Sequence, residues 1–368
     1  MDKSILQICL SDGWGGLEMY PLQITKNLHS KGHKAFGLAL KGTPVAHKMA
    51  ESGFDLLTYN NSLQALINLS ALVSWVKKNN IGVIHCHKSK DLVIALAIKK
   101  ITGCKLIFTE HMGVTKPKKD ILHRLIYKNI DQILSISDET KRRNINALPV
   151  PAHKIKRLWL GTDLSHHTNI SVSPELRAEL GLKLEDFVIG ILGRITHDKG
   201  QLELVQALNN ITNENDNFRV LIVGGLELSD GANVKQVALI KEYIQDHNLS
   251  SKVIFSGYRS DTADLLAIMD ILVLPSHKES FGLTVIEGMA ASKAIIGANT
   301  GAIPEVLDGT GILVNPFDPM DIASKILLLA FDEDKRNSLG NLARARAEAE
   351  FGIDTHIERL EAIYFTRP

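Results

Sequence analysis

The chain reads as an α/β protein: parallel sheets with helices on both faces, divided between two domains. Three observations predict this. Short apolar, β-branched runs alternate with amphipathic stretches along the whole chain. A polar segment from Thr162 to Ser173 separates two sets of such runs. The length, 368 residues, exceeds what one hydrophobic core comfortably holds.

In the first set the expected strands are residues 5–10, 35–40, 56–59, 83–86, 106–109, 133–137 and 155–158. In the second they are 188–192, 220–223, 253–255, 271–274, 294–296 and 311–314. Pro174 is placed to open a helix after the polar segment. The domains are expected to span 1–168 and 169–352. Phe351-Gly352 interrupts the last helical region ahead of a terminal helix, 353–368.

Composition narrows the function. With 45% hydrophobic and 23% charged residues the chain is ordinary for a globular protein. It has no apolar run long enough to span a bilayer, and Met1-Asp2-Lys3 leads straight into a strand-like segment rather than a signal peptide. Three cysteines, Cys9, Cys86 and Cys104, sit on or near strands and read as buried free thiols in a reducing cytoplasm. The net charge of +1 hides an asymmetry. Met1–Ser165 carries 24 Lys+Arg against 12 Asp+Glu, or +12, which leaves −11 for the remainder. The basic half favours an anionic partner. Few aromatics and no zinc or RNA-binding signature argue against nucleic acid.

The most informative stretch runs from Leu274 to Glu287. Pro275 and Ser276 stop a buried strand, and apolar residues then recur at helical spacing at Leu283, Val285, Ile286 and Met289. Gly282 lies near the helix start. Unpaired N–H groups and the positive end of the helix dipole suit phosphate there, and a glycine leaves the backbone bare. Glu279 on the loop and Glu287 one turn into the helix bracket that start. A carboxylate repels a diphosphate but accepts hydrogen bonds from sugar hydroxyls, so the pair suits ribose, diphosphate and hexose in a line. The plainer alternative is a solvated helix glutamate and a surface loop charge.

Glu279-Ser-Phe-Gly…Glu287 resembles the paired-glutamate motif of the retaining glycosyltransferases of family 4. That resemblance implies the GT-B fold, two Rossmann-like domains facing across a cleft, with the C-terminal helix crossing back to the first. It implies a nucleoside-diphosphate sugar as donor, with Glu279 on the sugar and Glu287 on the ribose. The backbone of Phe281, Gly282 and Leu283 would hold phosphate and sugar.

Gly190-Ile-Leu-Gly-Arg194…Lys199-Gly200 matches the same family's Gly-Arg…Lys-Gly motif. By resemblance Arg194 and Lys199 clamp the leaving diphosphate; a planar fork and a point charge both suit it. Tyr258 and Arg259 stand where the family holds the base. Ser11-Asp-Gly-Trp-Gly-Gly-Leu-Glu18 lacks the G-x-G-x-x-G spacing, and the next strand ends without an acidic residue, so a dinucleotide site is not indicated. The turn resembles the family's Gly-Gly-x-Glu loop, in which the bare backbone of Gly15 and Gly16 faces the donor. Some positions depart from the family. Gly224 and Gly225 are adjacent, Gly288 follows Glu287 where alanine is usual, and Ser292 and Ala294 replace a Gly…Pro pair.

Histidines mark two strand ends in the first half. His85-Cys-His87 reads as a polar lining of the cleft, with too few ligands for a metal. His111, after Glu110, stands at the carboxyl edge of a strand and resembles the family's cleft histidine. Beyond it Lys116, Lys118 and Lys119 form a basic loop, read as recruiting an anionic acceptor or leaflet, or else as simply solvated. Ile121, Leu122, Leu125, Ile126 and Ile130 form one apolar face, most simply packed on the sheet.

The resulting expectation is a retaining glycosyltransferase of cell-envelope polysaccharide or lipopolysaccharide assembly. It uses a nucleoside-diphosphate sugar, UDP favoured over GDP or ADP, and an anionic or lipid-linked glycan acceptor. It works without metal or cofactor and is cytoplasmic, with a possible place on the inner leaflet. Alternatives are a nucleotide-cofactor oxidoreductase, a sugar-nucleotide epimerase, or a non-catalytic binding protein.

Overall fold

The computed structural model describes residues 4–168, 170–212 and 214–366. They form two compact units. One comprises Met1–Gly161 with Ile353–Pro368, and the other Thr162–Gly352.

The first unit is built on a seven-stranded parallel sheet: β1 (Ser4–Cys9), β2 (Ala35–Leu40), β3 (Leu56–Tyr59), β4 (Ile81–Cys86), β5 (Lys105–Glu110), β6 (Gln132–Ser135) and β7 (Ile155–Arg157). Their order is β3-β2-β1-β4-β5-β6-β7. β1 is buried along its whole length because helices cover both faces, which is why it reads as a near-continuous apolar run. The chain winds outward from β1 through β2 to β3, then returns to β4 and winds the other way. The switch point of the sheet therefore lies between β1 and β4.

The second unit repeats the plan with six strands: β8 (Phe187–Leu192), β9 (Phe218–Val223), β10 (Val253–Gly257), β11 (Ile271–Leu274), β12 (Ala294–Ala298) and β13 (Ile312–Val314). Their order is β10-β9-β8-β11-β12-β13, with the switch point between β8 and β11. Every strand expected from the sequence is present, with ends shifted by a residue or two.

The chain leaves the first unit after Gly161, earlier than the expected boundary after residue 168. The Thr162 N–H donates to Phe351 O at 3.0 Å and Thr162 pairs with Gly352, which fixes the start of the polar segment to the second unit. Ser173 caps the helix Pro174–Glu179 by accepting from the Leu176 N–H at 3.1 Å.

The terminal helix Ile353–Phe365 belongs to the first unit. His33 Nε2 donates to Glu361 at 2.6 Å, and Lys105 Nζ to Ile363 O at 2.6 Å. The three cysteines are free and buried. Among the described residues no helix is long and apolar enough to cross a membrane.

One expected packing is wrong. Of the apolar residues at 121–130, Ile130 is buried and Ile126 partly so, but Ile121, Leu122 and Leu125 are exposed. The buried side of the helix Ile121–Lys128 is centred instead on Tyr127, whose ring meets Phe108 edge-on at 6.2 Å.

Candidate active site

In the second unit three loops converge at the carboxyl ends of the strands beside the switch point. The loop after β8 carries Arg194 and Lys199, the loop after β11 carries Glu279 and Gly282, and the loop after β12 carries Gly301. Two close backbone approaches hold them together. Gly200, at φ +81°, lies so near Pro275 that a Cβ would stand 2.2 Å from its carbonyl oxygen. Gly301, at φ +63°, lies equally tight against Glu279, where a Cβ would meet the carbonyl oxygen at 2.4 Å. Hydrogen bonds lock the same contacts. The Ala302 N–H donates to Glu279 O at 2.9 Å, the His277 N–H to Asp198 O at 2.9 Å, and Thr300 Oγ1 to Ser276 O at 3.0 Å.

These contacts bring Lys199 Nζ to 2.6 Å from Glu279 Oε2, an ion pair with both side chains about three-quarters buried. Arg194, Lys199, Glu279 and Gly282 line one pocket, with Ser276 and Thr284 adding hydroxyls. Arg194 is exposed, and no carboxylate pairs with it among the described residues. The helix Leu283–Ala290 points its start into the pocket. Gly282 caps it in the left-handed region at φ +98°, and the amides of Leu283 and Thr284 have no main-chain acceptor among the described residues. Phe281 is buried against Phe351, ring centroids 6.0 Å apart, so only its backbone is available. Two cationic side chains and a helix N-terminus around one carboxylate can hold a diphosphate and place hydroxyl acceptors beside it.

In the first unit, Gly15 caps the helix Gly16–Ser30 with extended backbone. Glu18, in its first turn, accepts from Ser11 Oγ at 2.7 Å, and Lys88 Nζ donates to the same hydroxyl at 3.0 Å. Beneath this turn lies a buried histidine cluster. His85 bonds Tyr364 Oη at 2.6 Å and Thr109 Oγ1 at 2.7 Å. His87 Nε2 donates to Gln7 Oε1 at 2.8 Å. His85 therefore ties the sheet to the terminal helix and His87 is held to β1; neither lines an open surface, because both are essentially fully buried. His111 packs its ring against Tyr20, centroids 5.1 Å apart, and its Nε2 has no hydrogen-bond partner among the described residues. Burial pushes its pKa down to about 3, so it is neutral at physiological pH.

Residues 172–346 match the family model described as glycosyl transferases group 1, and residues 14–166 match that of glycosyltransferase family 4. The chain belongs to this family. Among relatives of this glycosyltransferase, the capsular polysaccharide biosynthesis glycosyltransferase CapM of Staphylococcus aureus is 31% identical over 239 residues, 64% of this chain and 61% of that protein. That alignment spans less than two thirds of CapM's length. The N-acetyl-alpha-D-glucosaminyl L-malate synthase of Bacillus anthracis is 25% identical over 369 residues, 95% of this chain and 94% of that one. An Escherichia coli UDP-Gal:alpha-D-GlcNAc-diphosphoundecaprenol alpha-1,3-galactosyltransferase is 24% identical over 81% of this chain and 78% of its own. The fold is that of a glycosyltransferase from Rickettsia africae, at TM-score 0.88 and 23% identity over 98% of this chain and 97% of that one. It is also that of Anabaena Alr3699/HepE in complex with UDP and glucose, at TM-score 0.80 and 21% identity over 99% and 100%. The two family matches together cover most of the chain, and the protein is thus a glycosyltransferase.

Other residues singled out in the sequence lie outside the lining of that pocket. Glu287, half-buried in the second turn of its helix, has its pKa raised by desolvation to about 7. Tyr258 is exposed, and neither it nor Arg259 lines the pocket. The Arg259 guanidinium is engaged by Glu179 at 2.6 Å and Asp261 at 2.5 Å. Of the three lysines, Lys116 and Lys119 are exposed, whereas Lys118 is half-buried and donates to Tyr127 Oη at 3.1 Å. Sequence reasoning missed Ser276 and Thr284, which carry no motif signal, and it missed the direct pairing of Lys199 with Glu279.

Proposed function

We propose that this glycosyltransferase moves a hexose from a UDP-sugar to a hydroxyl of an anionic, lipid-linked glycan presented at the inner face of a membrane, with retention of anomeric configuration. The observation that carries the donor site is the Lys199–Glu279 pair at 2.6 Å, set with Arg194 at a helix N-terminus on the switch point of the sheet. The UDP assignment draws support from the Anabaena structure, which holds UDP and glucose, and from the Escherichia coli relative, a UDP-Gal enzyme acting on a diphosphoundecaprenol-linked sugar.

In this mechanism the diphosphate lies against Arg194, Lys199 and the amides at the start of the helix Leu283–Ala290. Lys199 turns from Glu279 toward phosphate, and the freed carboxylate accepts from a sugar hydroxyl. The anomeric C–O bond breaks and its electron pair leaves on the phosphate oxygen, where fixed positive groups stabilise the growing charge. The sugar gains oxocarbenium character. The acceptor hydroxyl forms the new C–O bond on the same face and gives its proton to the leaving phosphate. Glu287 accepts from ribose hydroxyls, and His111 offers its unpartnered Nε2 to a substrate hydroxyl. The cations and helix dipole supply the charge, so the reading calls for no metal cofactor.

The test is UDP release from a panel of UDP-hexoses with membrane-lipid extract as acceptor. Arg194→Ala, Lys199→Ala and Glu279→Gln should each lower the rate by roughly 100- to 1,000-fold with the fold intact. Near-wild-type rates in all three would remove the site.

A further inference from the structure

The helix Ile121–Lys128 is anchored on one side and bare on the other. Ile121, Leu122 and Leu125 are 78%, 64% and 59% exposed. At about 100° per residue these three share one arc of the helix, and Tyr127, Ile126 and His123 occupy the inward arc. The helix is well held. Asp120 caps it by accepting from the His123 N–H at 3.1 Å, and Tyr127 is 1% exposed. Among the described residues no other five-residue stretch exposes three large apolar side chains.

Charge surrounds this bare arc. Arg124 and Lys128 run along one flank, and the exposed Lys116 and Lys119 stand on the loop that leads in. Between Met112 and Lys128 there are five Lys+Arg and one Asp, a net +4. That aspartate, Asp120, is committed to the helix cap and to His123 Nδ1 at 2.5 Å. A second copy of the chain would set +4 against +4 across a shared face. An anionic bilayer offers the complement to both features: acyl chains for the apolar arc and phosphates for its cationic rim.

We propose that Ile121–Lys128 and the loop before it form a membrane-docking element. Ile121, Leu122 and Leu125 enter the headgroup–acyl boundary of an anionic leaflet, while Lys116, Lys119, Arg124 and Lys128 pair with lipid phosphates. The inference rests on the proposed reading only for its purpose, bringing the unit that carries His111 to a lipid-linked acceptor; docking itself does not involve the donor site.

Flotation of the full chain with vesicles tests this. The wild type should float with phosphatidylcholine–phosphatidylglycerol vesicles at low salt, weakly at high salt, and not with pure phosphatidylcholine. Leu122→Asp with Leu125→Asp should lower partitioning by at least about 100-fold through lost apolar burial. Lys116→Gln, Lys119→Gln and Arg124→Gln together should lower it by about 100-fold through lost charge. The melting shift produced by UDP is measured on every variant and should match wild type, which shows that the fold and donor site survive. A wild type that stays with the lipid-free fraction overturns the docking element, as do variants that float like wild type. So does a concentration-dependent dimer that the Leu122→Asp, Leu125→Asp change dissolves without affecting flotation. Flotation without any UDP shift would refute the donor reading and leave the docking element standing.

Discussion

Gly301→Ala should disable the enzyme from a position that carries no chemistry. Its Cβ would stand 2.4 Å from Glu279 O and 2.8 Å from Glu279 N, whereas Cβ atoms essentially never approach closer than 3.0 Å and ordinary contact begins at 3.4 Å. The loop bearing Glu279 must therefore retreat by about 0.6 to 1.0 Å. Displacements near 1 Å at a reacting centre cost about 100-fold in rate, and that is the expected loss of kcat. The left-handed backbone adds roughly 1–2 kcal/mol of destabilisation, or a few degrees of melting temperature. Gly309→Ala separates the two effects. Its φ is +84°, so the backbone penalty is similar, but no atom lies within 4 Å of the new Cβ. It should melt a few degrees lower and turn over normally. UDP release under saturating donor, alongside thermal melts, reads both quantities. A Gly301→Ala enzyme within a factor of two of wild type would refute the claim that this contact positions Glu279.

Two further predictions concern pH. Glu287 in the folded chain titrates near 7 because desolvation disfavours its charged form; this raised pKa stabilises the fold at low pH, and the stabilisation is lost as pH rises through 7. Ribose hydroxyls donate best to the ionised carboxylate, so affinity for UDP-glucose should rise as pH climbs through 7 and then level off. Calorimetric titration should show this dependence vanish in Glu287→Gln, and a persistent dependence would assign it elsewhere. His356, whose Nδ1 donates to Trp159 O at 2.7 Å and whose Nε2 accepts from Tyr20 Oη at 2.9 Å, is held by burial at about 4. Its depressed pKa contributes stability that is full above the unfolded value near 6.5 and lost as pH falls toward 4. Denaturant melts should lose about 2 kcal/mol per such group between pH 6.5 and 5, and His356→Gln should flatten the slope.

The parallel strands were legible because their burial on both faces leaves an unmistakable apolar run between polar breaks. The pocket was legible where its lining residues sit just beyond the strands that position them, as with Arg194, Lys199 and Glu279. Their mutual contact was not, since Lys199 and Glu279 meet only through backbone approaches at Gly200 and Gly301, whose partners are far away in the chain. His85 and His87 looked like a site lining because nothing near them in sequence announces Tyr364, which arrives from the opposite end of the chain. Periodicity revealed the apolar face of the helix Ile121–Lys128 but not what covers it, because alternation records a side-chain direction and not a neighbour. Arg259 carries a related lesson: a matching position in a motif does not reveal the carboxylates of Glu179 and Asp261 that hold its guanidinium.

The central claim is that Arg194, Lys199 and the helix start beyond Gly282 bind the diphosphate of a UDP-sugar. Melting the wild type and Arg194→Ala with saturating UDP, GDP, ADP, CMP and NAD tests it most directly. The account predicts a shift of a few degrees with UDP, equivalent to roughly 2.7 kcal/mol at 100 times the dissociation constant, and its loss in the variant. A shift with NAD alone, or a UDP shift that Arg194→Ala leaves untouched, would contradict it.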